Sequence, residues 1–415
     1  MAKIKSTKQI LWTIFFTIFL DLFGVGIIIP VFPLLVVPGS IFKITPDTWN
    51  ATQGFVLAGW LMASYPLAQF LVTPILGQIA DKYGRRLVLI ISIFGTILSY
   101  ILFAIAIHQK NIPLLFIARI LDGISGGNIS AAQAVIGDIS NAKNRAKNFG
   151  LVGVSIGIGF ILGPFIGGRL SDSSFVSWFD VTTPFWFAAI LSFINLISVI
   201  VFLPETLKEK NNNSIDITRP LQNIIKIFVH KHLSVPIISN FFFNAGFSFY
   251  TTFWGVILAY QFGYTQGRIG DFYAYVGIMI ILAQGLVVRR LSGKVFDYRV
   301  LDFSFILAGV SILSFYFVSS THVIWIYYLS PFLALFVALS RAFNMSLLSR
   351  VSTNNTRGEV MGINSSATAL AQAIPAIMAG YIATTHVMYI VLVGGITTIL
   401  GGIYFRLLYK NRDDT

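Results

Sequence analysis

Apolar runs recur from one end of the chain to the other, each of roughly 20 residues or more, the length that crosses a bilayer as a helix. Short polar intervals separate them. Read on this pattern alone, the chain has twelve spans, over 10–37, 52–76, 86–107, 113–138, 146–170, 184–203, 233–260, 269–291, 301–319, 322–349, 358–383 and 386–408. The longest polar interval, 204–232, divides six spans from six. It carries Lys208, Glu209, Lys210, Asn211–Asn213, Arg219 and Lys231, and its pattern predicts a short amphipathic helix near Leu221–Val229. An all-α membrane protein follows, with an N-terminal bundle over 1–203, a cytoplasmic linker over 204–232 and a C-terminal bundle over 233–415. The linker is too short to hold a separate soluble domain.

Composition agrees. The 415 residues are 56% hydrophobic and only 11% charged, about half the charge of a soluble chain, and the mean hydropathy is +0.79. The net charge of +13 is not a nucleic-acid footprint, because most Lys and Arg fall in the amino-terminal tail, the even-numbered loops and the carboxyl tail. The odd-numbered loops hold only Lys43, Lys110, Arg169 and Arg268, while Arg119 and Arg341 lie inside spans. This asymmetry places both termini in the cytoplasm. Lys3, Lys5 and Lys8 precede the first apolar run, but that run is long and lacks a small-residue cleavage site, so it reads as an uncleaved helix. Cysteine is absent, which excludes disulfides and thiolate chemistry. The five histidines, His108, His230, His232, His322 and His386, lie at loops or span ends. No metal-ligand cluster, nucleotide-phosphate loop or hydrolytic acid–base pair appears, so neither an enzyme nor an ATP-driven machine is indicated.

The polar residues that break the apolar pattern are few. Asp21 lies mid-span within Asp21-Leu-Phe-Gly24-Val-Gly26-Ile-Ile-Ile-Pro30-Val-Phe-Pro33. A carboxylate there costs several kcal/mol unless paired, hydrated or protonated. Low dielectric favours its neutral form, which suits a group that loads and releases a proton. A structural carboxylate held by neighbouring hydroxyls or an arginine is the other reading. Arg119 and Asp122, three residues apart in the fourth span, share a face. Either they form a permanent self-neutralising pair, or Arg119 meets an acid in one conformation only and couples protonation to shape. In the second half Asn240, Asn244, Ser248 and Thr251 form one polar stripe and Asn364, Thr368 and Gln372 another, joined by Gln284, Arg341 and Asn344. These face a cavity or bond between helices. As a set they suggest a polar wall opposite Asp21, with Phe243, Tyr250 and Trp254 nearby.

Four motifs carry a resemblance. Gly77-Gln-Ile-Ala-Asp81-Lys-Tyr-Gly84-Arg85-Arg86 reads as a charged loop whose acid and arginines can latch helices together, with Asp138, close to Asn141, Lys143 and Arg145, as a further acceptor. It resembles the loop between the second and third helices of the major facilitator superfamily, G-x-x-x-D-[RK]-x-G-R-R. Arg119 through Gly127 is similar to that superfamily's fourth-helix motif, whose arginine is associated with proton coupling. The Asp21 segment resembles the first helix of the drug:proton antiporter branch, including tetracycline-type exporters. Gly159-Phe-Ile-Leu-Gly163-Pro164-Phe-Ile-Gly167-Gly168 resembles the antiporter motif of its exporters. The halves repeat weakly: Arg145, Gly150, Pro164 and Gly168 correspond to Arg357, Gly362, Pro375 and Gly380, and Gly285 through Arg289, Arg290, Gly293 and Lys294 faintly echoes the opening motif.

The resemblance implies the major facilitator fold, two pseudo-symmetric six-helix bundles around a mid-membrane cavity. It further implies a proton-coupled exporter of drugs or amphipathic compounds in the bacterial inner membrane. Asp21, Arg119 and Asp122 would handle protons, and the Gly77–Arg86 latch would be made in the outward-facing state. No cofactor is expected, since the proton gradient supplies the energy. The expected partners are a small-molecule substrate, protons and membrane lipid, with no nucleic acid, and the chain is expected to be a monomer. Uptake of a metabolite or siderophore on the same fold is the alternative. The sequence departs from the tetracycline exporters in its third span, which lacks an acid, and in Asp271 and Asp302, which sit near span ends. That puts tetracycline as the cargo in doubt.

Overall fold

The computed structural model describes residues 7–36, 40, 42–140, 144–207, 214–229, 231–351 and 357–409. Lys3, Lys5, Asn141, Lys143, Lys208–Asn213 and His230 lie outside the described residues, as do the side chains of Arg145, Lys231, His232 and Arg357. The chain is all-helical. Before the linker come α1 (Thr7–Val36), α2 (Ala51–Tyr83), α3 (Arg85–His108), α4 (Ile112–Ile139, with a 3-10 turn at Gly126–Asn128), α5 (Arg145–Leu170) and α6 (Thr183–Phe202). The linker helix α7 (Arg219–Val229) follows. Then come α8 (Lys231–Phe262), α9 (Gln266–Leu291, with a π turn at Ala283–Val288), α10 (Asp297–Ser314), α11 (Trp325–Val351), α12 (Arg357–Ile382) and α13 (Tyr389–Leu408).

Eleven of these helices are long and apolar enough to cross a membrane among the described residues. The least apolar of the long helices, α12, adds a further 26 residues of helix. Its polar stripe lowers its hydropathy without breaking its hydrogen bonds. Bulky apolar side chains such as Ile91 and Phe94 on α3, and Ile190 and Phe193 on α6, are exposed. On a soluble protein such faces would be anomalous; here they meet lipid. The protein is a multi-pass membrane protein.

Local chemistry sets the helix ends. Asn50 and Gln53 form a reciprocal capping box at the start of α2, with bonds of 3.0 and 3.1 Å. Asn111 accepts from the Leu114 amide at 3.0 Å to open α4. One expectation is corrected here. The stretch Gly77–Arg86 is not a loop, because α2 runs on to Tyr83 and α3 begins at Arg85. Only Gly84 interrupts them, at φ +119°, a conformation that side chains rarely adopt. Hydropathy ended the span at 76 because the last two turns of α2 are polar, not because they unwind.

In the first six helices α1 packs on α5, α3 on α4 and α6, and α2 on α4. In the last six α8 packs on α12 and α13, and α10 on α11 and α13. The two sets meet at the end of the bundle remote from the linker, called here the far end. There Trp60 Nε1 donates to the Tyr381 hydroxyl (3.3 Å), Phe55 meets Tyr260 edge to face, and Arg169 pairs with Asp271 at 2.9 Å.

Two backbone contacts seat this junction. A Cβ built on Gly168 of α5 lies 2.6 Å from the Gln266 carbonyl oxygen and 3.2 Å from the Gly270 Cα on α9. One built on Gly380 of α12 lies 2.8 Å from the Phe55 carbonyl oxygen and 3.0 Å from the Gly59 Cα on α2. Gly168 and Gly380 are the paired positions of the sequence repeat, so the repeat places equivalent glycines against the opposite half.

Candidate functional site

Asp21 lies midway along α1, half-buried. Its Oδ1 accepts from Asn128 Nδ2 at 3.3 Å, and its Oδ2 is buried without a partner among the described residues. Asn128 itself is fully buried in the 3-10 turn of α4, with its own Oδ1 unpartnered among the described residues. That turn arises in Gly126-Gly127, where close packing leaves no room for side chains. A Cβ on Gly127 lies 2.8 Å from Leu76 Cδ1 and 3.1 Å from the Thr73 hydroxyl. Asn128 was not among the expected site residues. The signal was present, since it is an amide in the middle of an apolar span directly after two glycines.

Arg119 and Asp122 are both buried and paired, with Nη1 to Oδ2 at 3.1 Å. The Arg119 guanidinium sits over the Tyr65 ring, 4.9 Å from its centroid, while its Nε has no hydrogen-bond partner among the described residues. The Tyr65 hydroxyl accepts from Gln69 Nε2 at 3.3 Å, and that amide also reaches the Gly126 carbonyl. The structure therefore brings Arg119 and Asp122 together and gives Asp21 a separate, neutral partner. A buried ion pair repays its desolvation only with good geometry and extra bonds. The Arg119–Asp122 pair has the geometry and the aromatic face. Asp21, held by one amide, is the less committed carboxyl.

The glycines of α5 define how α1 is held. Gly159, Gly163 and Gly167 lie one turn apart and press on the α1 backbone around Asp21. Built Cβ atoms fall 2.8 Å from the Phe19 carbonyl oxygen, 2.8 Å from the Gly26 Cα and 2.7 Å from the Ile27 carbonyl oxygen respectively. Small residues at this spacing let two helices touch along their backbones. Pro164 fits beside Gly26, and Gly168, on the neighbouring face, meets α9 instead. One short motif thus touches the acid-bearing helix and the opposite half at once.

At the linker end, Arg85 pairs with Asp81 and its Nε lies 3.6 Å from Asp138 Oδ2. Arg86 does not reach Asp138; its Nη2 donates to the Ile200 carbonyl at 2.7 Å. Glu205, unforeseen in the sequence, accepts from the Arg85 and Arg86 amides at 3.0 and 3.2 Å and so caps α3. A Cβ on Gly84 would fall 2.9 Å from the Glu205 carboxyl carbon, so φ and space both demand glycine there. Thr206 donates to Asp138 at 3.0 Å, and Gln78 exchanges two bonds with the Asp216 backbone in the linker. The latch expected between the second and third helices is therefore formed, with Arg85 rather than Arg86 facing Asp138. Its ion pairs, all within α2–α4, are present in the same structure as the seated far end.

The second-half candidates divide. Asn240 Nδ2 donates to Asn364 Oδ1 (2.9 Å) and Asn244 Nδ2 to Asn240 Oδ1 (2.9 Å), an interhelical chain that ties α8 to α12. Ser248 donates to the Gln372 carbonyl at 3.2 Å. Asn240, Asn244, Tyr250 and Asn344 are buried, and Phe243 and Trp254 belong to the apolar core. Gln284, Arg341 and the Gln372 side chain are accessible, and Asn364 is half-buried. Packing accounts for the asparagines of α8. The accessible polar surface belongs to Gln284, Arg341 and Gln372. Among the described residues no group of three or more His, Cys, Asp or Glu could hold a metal.

A helical membrane protein of two repeated halves, seated on each other at one end and carrying buried charge mid-membrane, is a transporter rather than an enzyme. This chain belongs to the Major Facilitator Superfamily, whose family model matches residues 14–374. It is 32% identical over 289 residues to the class H tetracycline resistance protein of Pasteurella multocida, covering 69% of this chain and 68% of that one. It is 26% identical over 402 residues to multidrug resistance protein 2 of Bacillus subtilis strain 168, covering 96% and 94%. Among solved structures, a D-xylose–proton symporter superposes with a TM-score of 0.78 at 16% identity, covering 96% of this chain and 97% of its own, a likeness of fold alone.

Proposed function

We propose that this transporter is a proton-coupled exporter of amphipathic drug-like compounds in a bacterial cytoplasmic membrane, with its termini and linker on the cytoplasmic side. The similarity to proteins named for tetracycline and multidrug resistance supports export. Lys and Arg concentrated in the even-numbered loops support the orientation. The observation that carries the proposal is Asp21, a mid-membrane carboxyl that among the described residues is held by one amide and keeps one oxygen unpartnered, with the glycine face of α5 alongside it.

In this reading Asp21 takes a proton from outside and gives it up towards the cytoplasm. Arg119, fixed on Asp122 and Tyr65, keeps a positive charge in the same half without competing for that proton. Cargo loads when Asp21 is ionised and leaves when it is protonated. The halves rock about the cavity, with α5 sliding on α1 and unseating from α9. The Gly77–Arg86 segment, Asp138 and Glu205 hold α2, α3 and α4 together during that motion.

The test uses proteoliposomes containing an internal pH dye and a panel of amphipathic cations, acids and neutral compounds. Wild type moves protons on addition of cargo, and Asp21→Asn binds cargo but moves none. Cargo exchange without a proton signal in wild type would rule out antiport.

A further inference from the structure

The cargo class can be narrowed, given the transporter reading above, from one residue of α11. Arg341 lies on the side of that helix that carries Val337, Asn344 and Leu348, all buried, and half a turn from the exposed Tyr328 and Phe332. It points inward, yet it is itself accessible. An accessible side chain on the inner face of a bundle helix borders the interior space between the halves.

Its charge is unmatched. Arg119 is paired with Asp122, Arg169 with Asp271, Arg85 with Asp81 and Asp138, and Arg350 with Asp297. Arg341 has no ion pair or hydrogen bond to a carboxylate among the described residues. Its guanidinium lies over the Phe247 ring on α8, 5.0 Å from the ring centroid. A cation at mid-membrane depth is costly unless something balances it, and a guanidinium stays charged at any accessible pH.

The surroundings add aromatic rings rather than an acid. Tyr250 stands one turn along α8, its ring 6.2 Å from that of Phe247, and its buried hydroxyl has no partner among the described residues. Phe247 in turn stacks on Phe243, at 6.3 Å and 4°. The arrangement is a planar cation on an aromatic platform. This is the complement of a compound with an apolar ring body and one anionic oxygen group, which a guanidinium grips through two parallel bonds.

We propose that Arg341 is the specificity-determining residue of the cavity and that the exported compounds carry an anionic group, a carboxylate in its simplest form, which binds there. The anion sits in the half opposite Asp21. Neutralising Arg341 and unloading the proton are then separate events, and the cargo need not compete for the acid with a positive charge of its own.

Matched acid and ester pairs test this. Fluorescence anisotropy of the purified full-length protein is read with rhodamine 110, which has a free benzoate, and rhodamine 123, its methyl ester. A second pair is 1-pyrenebutyrate and its methyl ester. In at least one pair the acid binds about tenfold tighter than the ester, the loss expected for one charge-assisted contact, and neither pair shows the reverse. Arg341→Gln abolishes the preference and leaves ester affinity within about twofold.

Arg341→Lys keeps the charge but not the fork, and serves should the glutamine variant fail to fold. It weakens the acid severalfold and leaves the ester unchanged. Equal binding of acid and ester by wild type, a preference that survives in Arg341→Gln, or equal weakening of both by Arg341→Lys each overturns the subsite. Binding of esters but not acids removes the anion subsite and leaves the exporter reading standing. Failure of wild type to bind any of the four removes both.

Discussion

Asn128 is the residue on which the state of Asp21 rests, for among the described residues it supplies the one donor that the carboxyl receives. Replacing it with leucine leaves both oxygens of a membrane-embedded acid without a donor. Asn128→Leu is expected to destabilise the protein by about 1–3 kcal/mol, and Asp21→Asn in the same chain to restore most of that loss. Thermal unfolding of the two single variants and the double variant measures the coupling, and additive effects would show that the bond carries nothing. At this scale the sequence was readable where a charge stood out. Asp21, Arg119 and Asp122 are conspicuous because an ionisable group inside an apolar run demands a reason. Asn128 and Glu205 were not, because an amide or a loop acid becomes a partner only once the chain is folded. Glu205 meets Arg85 across 120 residues of sequence, and no local pattern encodes such a distance.

Among the helices, α5 makes the sharpest prediction because its glycines differ in surroundings. A Cβ at Gly163 would sit 2.8 Å from the Gly26 Cα, whereas one at Gly157 meets nothing within 4 Å. Gly163→Ala is therefore expected to cost about 1–3 kcal/mol by forcing α5 off α1 and to abolish transport. Gly157→Ala is expected to be neutral or to stabilise by up to about 1 kcal/mol through helix propensity. Equal unfolding midpoints for the two would remove the close-contact argument.

The start of α6 gives a pH dependence. Burial pushes the Asp180 carboxyl up, but bonds from the Thr182 hydroxyl and amide and from the Thr183 amide and hydroxyl outweigh it, so the group is held below its ordinary range. Its ionised form is the one the fold favours. The stabilisation is fully present above the ordinary carboxylate range, and it disappears as pH falls through the lowered folded value. Asp180→Asn should cost about 1 kcal/mol near neutrality, and the gap to wild type should close in acid, below about pH 4. The elements themselves were legible from hydropathy. Their ends were not, wherever helix continued in polar residues, as α2 does through Asp81 and Lys82.

At the level of the whole molecule, the repeat between the halves was visible as proline and glycine spacing, but which end the halves close was not. The answer depends on contacts between α2 and α12 and between α5 and α9, four helices far apart in sequence. The native chain has no cysteine, so introduced ones report only on themselves. An Arg169→Cys/Asp271→Cys double variant, at positions whose side chains already meet across the junction at 2.9 Å, is expected to be joined at the far end by a short bifunctional thiol reagent with a reducible disulfide spacer. Cross-linking should arrest transport, and reduction should restore it. Free transport by the cross-linked protein would mean that this junction never opens.

Those paired glycine seats have one more consequence. Backbone pressed on backbone has no rotamers to choose among, so the far end can close in only one way, whatever has just been carried. The seal is blind to the cargo. Discrimination is left to accessible side chains such as Arg341, which do not belong to the seal. A lineage bearing this architecture can exchange those residues one at a time and acquire a new range of compounds while inheriting a gate that needs no retuning.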